Sequence, residues 1–511
     1  MVCGTTSNAG KSTITAGLCR HYARRGARVA PFKAQNMSNN STVTPAGHEI
    51  ARAQAWQAAA AGICPEVAMN PVLLKPMSTN LCQVVVMGRP LGTMTAAEYH
   101  RRKPELFGLV LEALADLRAR YDVVILEGAG SPAEINLLDN DIVNLRLAHA
   151  ADLPAVVVGD IDLGGVFASL FGTVAILPDD LRRHVKGFVI NKFRGDPALL
   201  SGGTSGLYER AGVPTLGVVP WLDGPDTDSE DSFALSRPSH LDRVETDGAD
   251  ATRPPAGAQR LDPGDLLDSD DLLDVAVVHL PHIANFTDVD PLRLEPGVRL
   301  RWIDDARDVG QPDLLVIPGS KSTVADLSWL RRRRLDRAVE RTRGTVLGIC
   351  AGYQMLGRSI ADPEGVESSD ASTNGLGLLD AATDFGPEKV TRWCHGDLFG
   401  QRASGYQIHH GVVTAYAPPL VTLDDGGADG TVGTTPAGGA VWGTTLHGLL
   451  EADAARAAVL ERVARMAGKH VVQAGSFSAA RAERIDRLAD ALEAHLDLTM
   501  LDQIISEGRL S

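Results

Sequence analysis

Gly4-Thr5-Thr6-Ser7-Asn8-Ala9-Gly10-Lys11-Ser12 sets glycines at both ends of a tight turn, with a lysine and a serine where a helical pattern begins. Backbone N–H groups of such a loop, together with a helix N-terminus, receive phosphate oxygens; Lys11 can reach the terminal phosphates and Ser12 can offer its hydroxyl to Mg²⁺. Gly4, Thr6, Gly10, Lys11 and Ser12 are therefore the expected nucleotide contacts. A phosphate loop normally follows a buried strand of about five residues. Here only Met1-Val2-Cys3 stand before Gly4, so the start of the natural chain is expected to lie upstream.

Outward from this loop, apolar runs rich in valine and isoleucine recur at 27–32, 121–126, 155–159, 185–190 and 215–219, separated by helical stretches. Continuous apolar runs alternating with helices predict a parallel sheet covered on both faces. The first helix is expected over 11–25, with Ile14, Leu18 and Tyr22 on one stripe. Ligands collect at the carboxyl ends of parallel strands, which directs attention to four residues. Lys33, in Pro31-Phe32-Lys33-Ala34-Gln35-Asn36, could neutralise a transferring phosphoryl group, although a surface lysine would look the same. Glu127 follows Val123-Val124-Ile125-Leu126 and suits Mg²⁺. Asp160 holds the equivalent place one strand on and is the weaker metal candidate. Asn191 could present its amide to an adenine edge, with helix capping as the competing use.

A second strand-to-helix elbow lies some 340 residues away. Gly348-Ile349-Cys350-Ala351-Gly352 follows Thr345-Val346-Leu347 and places a thiol where the sharp turn exposes it. The Ala351 N–H and the next helix N-terminus can stabilise thiolate and oxyanion, and a second donor is expected from Pro318-Gly319-Ser320. The base must be a histidine close in space. His447, in Trp442-Gly443-Thr444-Thr445-Leu446-His447-Gly448, is the first candidate; His409 and His410 come next. Many triad amidotransferases carry a carboxylate two residues after the histidine, but Leu449 stands there and Glu451 is at the wrong spacing. The unit reads as a Cys350–His447 dyad, or as a triad whose third member the sequence does not locate. A thiol that strips ammonia from glutamine, and a nucleotide site that activates a carboxylate, together imply an ATP-driven amide-forming enzyme.

The bulk properties fit. With 511 residues, two or three domains are expected. The net charge of −15 argues against a nucleic-acid or anionic-membrane surface. Six cysteines without CxxC spacing, no leader pattern and no 18-residue apolar run lead to the expectation of a cytoplasmic protein with reduced thiols. The domains expected are an ATP-binding amidoligase domain over 1–235, an acidic Pro/Gly-rich linker over 236–272, a glutamine amidotransferase domain over 273–465 and a helical tail over 466–511. Strands are expected at 275–280, 299–303, 314–317 and 345–349, a loop over 423–440, and helices over 452–467 and 477–498.

The chain closely resembles the cobyric acid synthase family of glutamine-dependent corrin amidotransferases. The resemblance rests on Pro31-Phe32-Lys33-Ala34-Gln35-Asn36-Met37, Asn70-Pro71-Val72-Leu73-Leu74-Lys75-Pro76, Glu127-Gly128-Ala129-Gly130-Ser131-Pro132-Ala133-Glu134-Ile135-Asn136, Ile190-Asn191-Lys192-Phe193-Arg194-Gly195-Asp196, Asn285-Phe286-Thr287-Asp288 and Pro318-Gly319-Ser320-Lys321-Ser322-Thr323, besides the two elbows. The phosphate-loop spacing, one residue longer than the common form, is that of dethiobiotin-synthetase-like amidating enzymes. The resemblance implies a P-loop domain of that kind followed by a class I glutamine amidotransferase domain. It further implies ATP, Mg²⁺, L-glutamine and adenosylcobyrinic acid a,c-diamide as cofactors and substrates, with four corrin carboxylates converted to amides through acyl phosphates. Lys11, Ser12, Lys33 and Glu127 would carry nucleotide and metal, Cys350 and His447 the glutaminase chemistry, and residues 131–136 part of the corrin contact. Two departures stand out: Gln407 occupies an expected glutamate position, and the tail beyond 467 matches nothing in the family pattern. A sister enzyme that amidates the a and c positions shares the layout, though the segments at 31–37 and 127–136 fit it less well. A ParA/MinD-like switch would need no elbow cysteine, and a corrinoid carrier would need no Lys11.

Overall fold

The strand runs of the first half pair in parallel through one series. Its order is Val29–Phe32, Val123–Leu126, Val2–Gly4, Ala155–Asp160, Val185–Phe193 and Thr215–Pro220. A bridge from Val2 to Glu127 joins the first pair to the rest, and Gly128 N–H donates to Val2 O at 2.8 Å. The computed structural model describes residues 1–78, 80–222, 271–472 and 475–507; the linker expected over 236–272 lies outside these up to residue 270. Val157, Val158, Phe188 and Ile190 are fully buried, as strands covered on both faces require. The strand ahead of the phosphate loop is three residues long and lies inside the sheet.

The helix Lys11–Arg24 buries the expected stripe of Ile14, Leu18 and Tyr22, and also Gly17, Cys19 and His21. Two further helices explain this double burial. Phe477–His495 and Leu498–Glu507 place Ile485, Leu488, Leu492, Leu501 and Ile504 in the same apolar cluster. Gly17 permits the contact, since a Cβ there would meet Leu492 Cδ1 at 2.6 Å. Ion pairs Arg20–Asp486 at 2.6 Å and Arg24–Asp490 at 2.5 Å edge the seam. Such half-exposed pairs contribute about 0–1 kcal/mol each, so the apolar contact dominates. The two compact units are accordingly Met1–Asp228 with Ser478–Ser511, and Ser229–Phe477.

In the second unit the sheet order is Val298–Ile303, Leu273–Val278, Leu314–Ile317, Thr345–Ile349, Ala440–Thr444 and Thr431–Thr434, parallel except for the last strand. That edge strand, with Ala428–Asp429, falls where the Gly/Thr/Asp composition predicted a loop. Tertiary pairing overrides the composition there: Asp429 is buried and accepts hydrogen bonds from Thr444 Oγ1 at 2.5 Å and Thr445 N–H at 3.1 Å. A long hairpin of Ala381–Leu398 and Gln401–Ala415 completes the unit. In both units the chemistry-bearing residues follow the carboxyl ends of neighbouring parallel strands.

Candidate functional site

In the first unit, Gly10 caps the helix Lys11–Arg24 at φ 99°, a left-handed conformation that favours glycine. A Cβ at Gly10 would overlap the Asn191 side-chain amide. That amide donates to Ala9 O at 2.9 Å, so Asn191 supports the loop backbone from below. Lys11 Nζ bonds Thr6 O at 2.9 Å and Gly130 O at 3.2 Å, curling over the loop. Glu127 is 1% exposed and gathers three groups: Ser12 Oγ at 2.8 Å and Lys33 Nζ at 2.9 Å on Oε1, and Gln57 Nε2 on Oε2. Lys33 is buried too, so it is not a surface lysine. Asp160 accepts from Lys192 Nζ at 2.7 Å and from Asp162 N–H at 2.9 Å. A hydroxyl and a carboxylate 2.8 Å apart form a hard-oxygen donor pair that fits Mg²⁺.

In the second unit, four adjacent strands deliver one constellation. Thr345–Ile349 ends in Cys350, whose φ of 52° and ψ of −108° form the strained elbow ahead of the helix Ala351–Leu356. Ala440–Thr444 leads to His447, and Leu314–Ile317 to the short strand Gly319–Ser320. Beyond Leu273–Val278 lies Asp288, in the 3₁₀ segment Phe286–Leu294. His447 Nδ1 lies 2.7 Å from Asp288 Oδ2, and Asp288 Oδ1 accepts the Gly448 N–H at 2.8 Å. The Cys350 side chain acts on the same imidazole and, with Asp288, favours its charged form. The His447 backbone N–H donates to Tyr406 O at 2.8 Å, and the two rings stack 5.6 Å apart. Gly319 packs so closely that a Cβ would lie 3.0 Å from His447 Cε1.

Comparison with known proteins agrees with both halves. Residues 1–231 match the CobQ/CobB/MinD/ParA nucleotide binding domain, and residues 274–455 the CobB/CobQ-like glutamine amidotransferase domain. A cobyric acid synthase of Nocardia farcinica is 50% identical, with 99% of this chain and 96% of that protein covered. Another, of Rhodococcus jostii, is 48% identical over 99% and 95%. The chain belongs to the cobyric acid synthase family. A solved glutamine amidotransferase aligns at 16% identity and a TM-score of 0.29, covering 38% of this chain and 98% of that one, and adds nothing to the assignment. This cobyric acid synthase family member is a glutamine-dependent, ATP-using amidotransferase ligase of cobalamin biosynthesis. Among the described residues, no helix is long and apolar enough to cross a membrane.

Asp288 is the carboxylate beside His447 that the sequence reading did not locate, and it gives the Cys350–His447 pair the geometry of a triad. It comes from 159 residues upstream of His447, whereas the sequence search looked just after the histidine. Its signal was the segment Asn285-Phe286-Thr287-Asp288, one of those on which the family resemblance rests. Burial alone would depress the His447 imidazole, but the Asp288 carboxylate and Cys350 more than offset it and raise the value to about 10. The pair's contribution to stability is therefore present below the ordinary histidine value of 6.5 and lost as pH rises through about 10. His409, the second candidate base, is held down at about 4 by burial, with Nδ1 on Gly411 O at 2.7 Å. Gln407, at the expected glutamate position, donates to Thr445 Oγ1 at 2.7 Å and to Asp429 Oδ1 at 3.3 Å. A carboxylate at 407 would stand against the buried Asp429.

The elbow motif also has a steric basis. A Cβ on Gly352 would overlap the Ile317 carbonyl oxygen, and one on Gly348 would lie 2.8 Å from Gly352 O. Both neighbours are backbone and cannot rotate away. Gly352→Ala is therefore expected to destabilise the second unit by about 1–3 kcal/mol, seen as a lower chemical-denaturation midpoint. An unchanged midpoint would contradict this packing argument.

Proposed function

We propose that this enzyme amidates the four peripheral b, d, e and g carboxylates of adenosylcobyrinic acid a,c-diamide, each through an acyl phosphate, with glutamine as the ammonia source. The observation that carries the reading is the near-full-length identity to cobyric acid synthases, which spans both halves. The geometry is consistent with it. Cys350 as thiolate attacks the glutamine carboxamide carbon, and the oxyanion forms beside the Ala351 N–H and the helix Ala351–Leu356. His447, held charged by Asp288, gives its proton to the departing nitrogen. Ammonia leaves, and water then hydrolyses the thioester to glutamate and free Cys350.

On the other unit, Lys11 and the backbone N–H groups of the loop from Gly4 through Thr6 to Gly10 bind the ATP phosphates, with Asn191 supporting the loop. Lys33 offsets the charge that develops when the substrate carboxylate takes the terminal phosphoryl group. Ser12 and Glu127 would hold Mg²⁺, with Asp160 as a further carboxylate at the same sheet edge; bound Mg²⁺ supplies charge neutralisation at the phosphates. Ammonia displaces phosphate from the acyl phosphate and gives the amide. The acidic Pro/Gly-rich linker separates an amidoligase domain over 1–235 from an amidotransferase domain over 273–465, and the protein acts in the cytoplasm. The test is mass spectrometry of adenosylcobyrinic acid a,c-diamide incubated with enzyme, ATP, Mg²⁺ and glutamine. Four successive conversions of carboxylate to amide are expected. No conversion, with turnover of the unamidated a and c acids instead, would reassign the chain to the sister reaction.

A further inference from the structure

The helix Arg52–Ala60 reads Arg-Ala-Gln-Ala-Trp-Gln-Ala-Ala-Ala, and its two glutamines are completely buried. Burying a primary amide costs free energy unless its donors and acceptor find partners. Gln54 and Gln57, three residues apart, share a helix face and find them in line. Asn36 Nδ2 donates to Gln54 Oε1 at 2.9 Å, Gln54 Nε2 donates to Gln57 Oε1 at 3.4 Å, and Gln57 Nε2 donates to Glu127 Oε2. Asn36 is 2% exposed, so all three amides are buried. Every amide points its donor towards the carboxylate, and aligned hydrogen bonds of this kind polarise one another.

The far oxygen of Glu127 matters because the near one is contested. Oε1 takes both Ser12 Oγ and Lys33 Nζ. Without a donor on Oε2, the carboxylate could rotate to give Lys33 both oxygens and leave Ser12. Gln57 Nε2 also lies 3.5 Å from the Ser12 backbone O, so the same amide contacts the Glu127 carboxylate and the backbone that carries the Ser12 hydroxyl. We propose that Asn36, Gln54 and Gln57 form an amide relay that holds Glu127 in its metal-ligating position, with Gln57 as the direct positioning residue. This rests on the reading of Glu127 as a Mg²⁺ ligand. The relay starts in the strand Gln35–Met37, whose Met37 side chain is exposed at the rim.

The experiment reads binding, not turnover. Mn²⁺, in place of Mg²⁺, is titrated by electron paramagnetic resonance into full-length enzyme with ADP, for wild type, Gln57→Met, Asn36→Ala and Glu127→Gln. Metal-free ADP affinity and thermal midpoint are measured alongside. Gln57→Met is expected to weaken Mn²⁺ roughly 10–100-fold, as loss of a partner that orients a metal ligand does, with metal-free ADP affinity unchanged. Asn36→Ala should weaken it about 2-fold, in the same direction, since it loosens the relay two bonds away. Wild-type Mn²⁺ affinity in Gln57→Met, with Glu127→Gln impaired, overturns the relay and leaves the metal reading intact. Wild-type affinity in Glu127→Gln removes the metal reading and the relay with it. Should Gln57→Met not fold, Asn36→Ala decides: unchanged Mn²⁺ affinity overturns the relay and weakened affinity upholds it.

Discussion

Cys350→Ser enzyme is expected to lose glutamine-driven amidation by about 10³-fold or more, yet to keep amidation driven by added ammonium salt. The substitution removes one thing. Serine fits the space of the thiol, and the close packing at Gly348 and Gly352 on either side of the elbow is left unchanged. The hydroxyl, however, is a far weaker nucleophile than the thiol it replaces. Lys11, Ser12, Lys33 and Glu127 all belong to the other compact unit, so acyl phosphate formation should be untouched. Product amides and released glutamate, measured with each nitrogen source, separate the two activities. Retained glutamine activity would remove Cys350 as the nucleophile. Loss of both activities would give it a structural role instead.

What the sequence made legible were the residues at the carboxyl ends of apolar strand runs. Lys33, Glu127, Asp160, Asn191 and Cys350 each follow an apolar run whose parallel pairing was predictable, and within each unit the sheet aligns those ends without further instruction. What stayed hidden depends on contacts between distant segments. Asp288 sits in a 3₁₀ segment that no period announces, and reaches His447 across 159 residues. Gln54 and Gln57 sit in an alanine-rich helix, and only the folded chain brings Gln57 against Glu127. The helices beyond 477 showed their own periodicity, but not that Leu488 and Leu492 complete the core behind the phosphate-loop helix. The Thr/Gly-rich edge strand Thr431–Thr434 has a loop's composition and gains its conformation from pairing with Ala440–Thr444.

Asp288→Asn should reduce glutaminase turnover about 10²–10⁴-fold, although it changes a single heavy atom. The carboxylate does two jobs at once, and asparagine keeps only one. Its Oδ1 can still accept the Gly448 N–H, which Asp288 takes at 2.8 Å, so the backbone there stays satisfied. Alanine would strand that buried N–H at a cost of about 1–3 kcal/mol, which is why asparagine is the cleaner probe. Opposite His447 Nδ1, an amide N–H₂ now replaces an acceptor. The ring must answer with a lone pair on Nδ1 and carry its proton on Nε2, leaving it unable to accept a proton from Cys350. The pH dependence shifts with it. In the wild type, the charged imidazole persists until pH rises through about 10, because Asp288 and Cys350 outweigh burial. Removing the Asp288 charge leaves burial less opposed, so the alkaline limb of glutaminase activity moves to lower pH. Glutamate release across a pH series checks both effects. Turnover within 2-fold of wild type, with an unmoved alkaline limb, would mean that Asp288 only packs against His447 and takes no part in setting its charge.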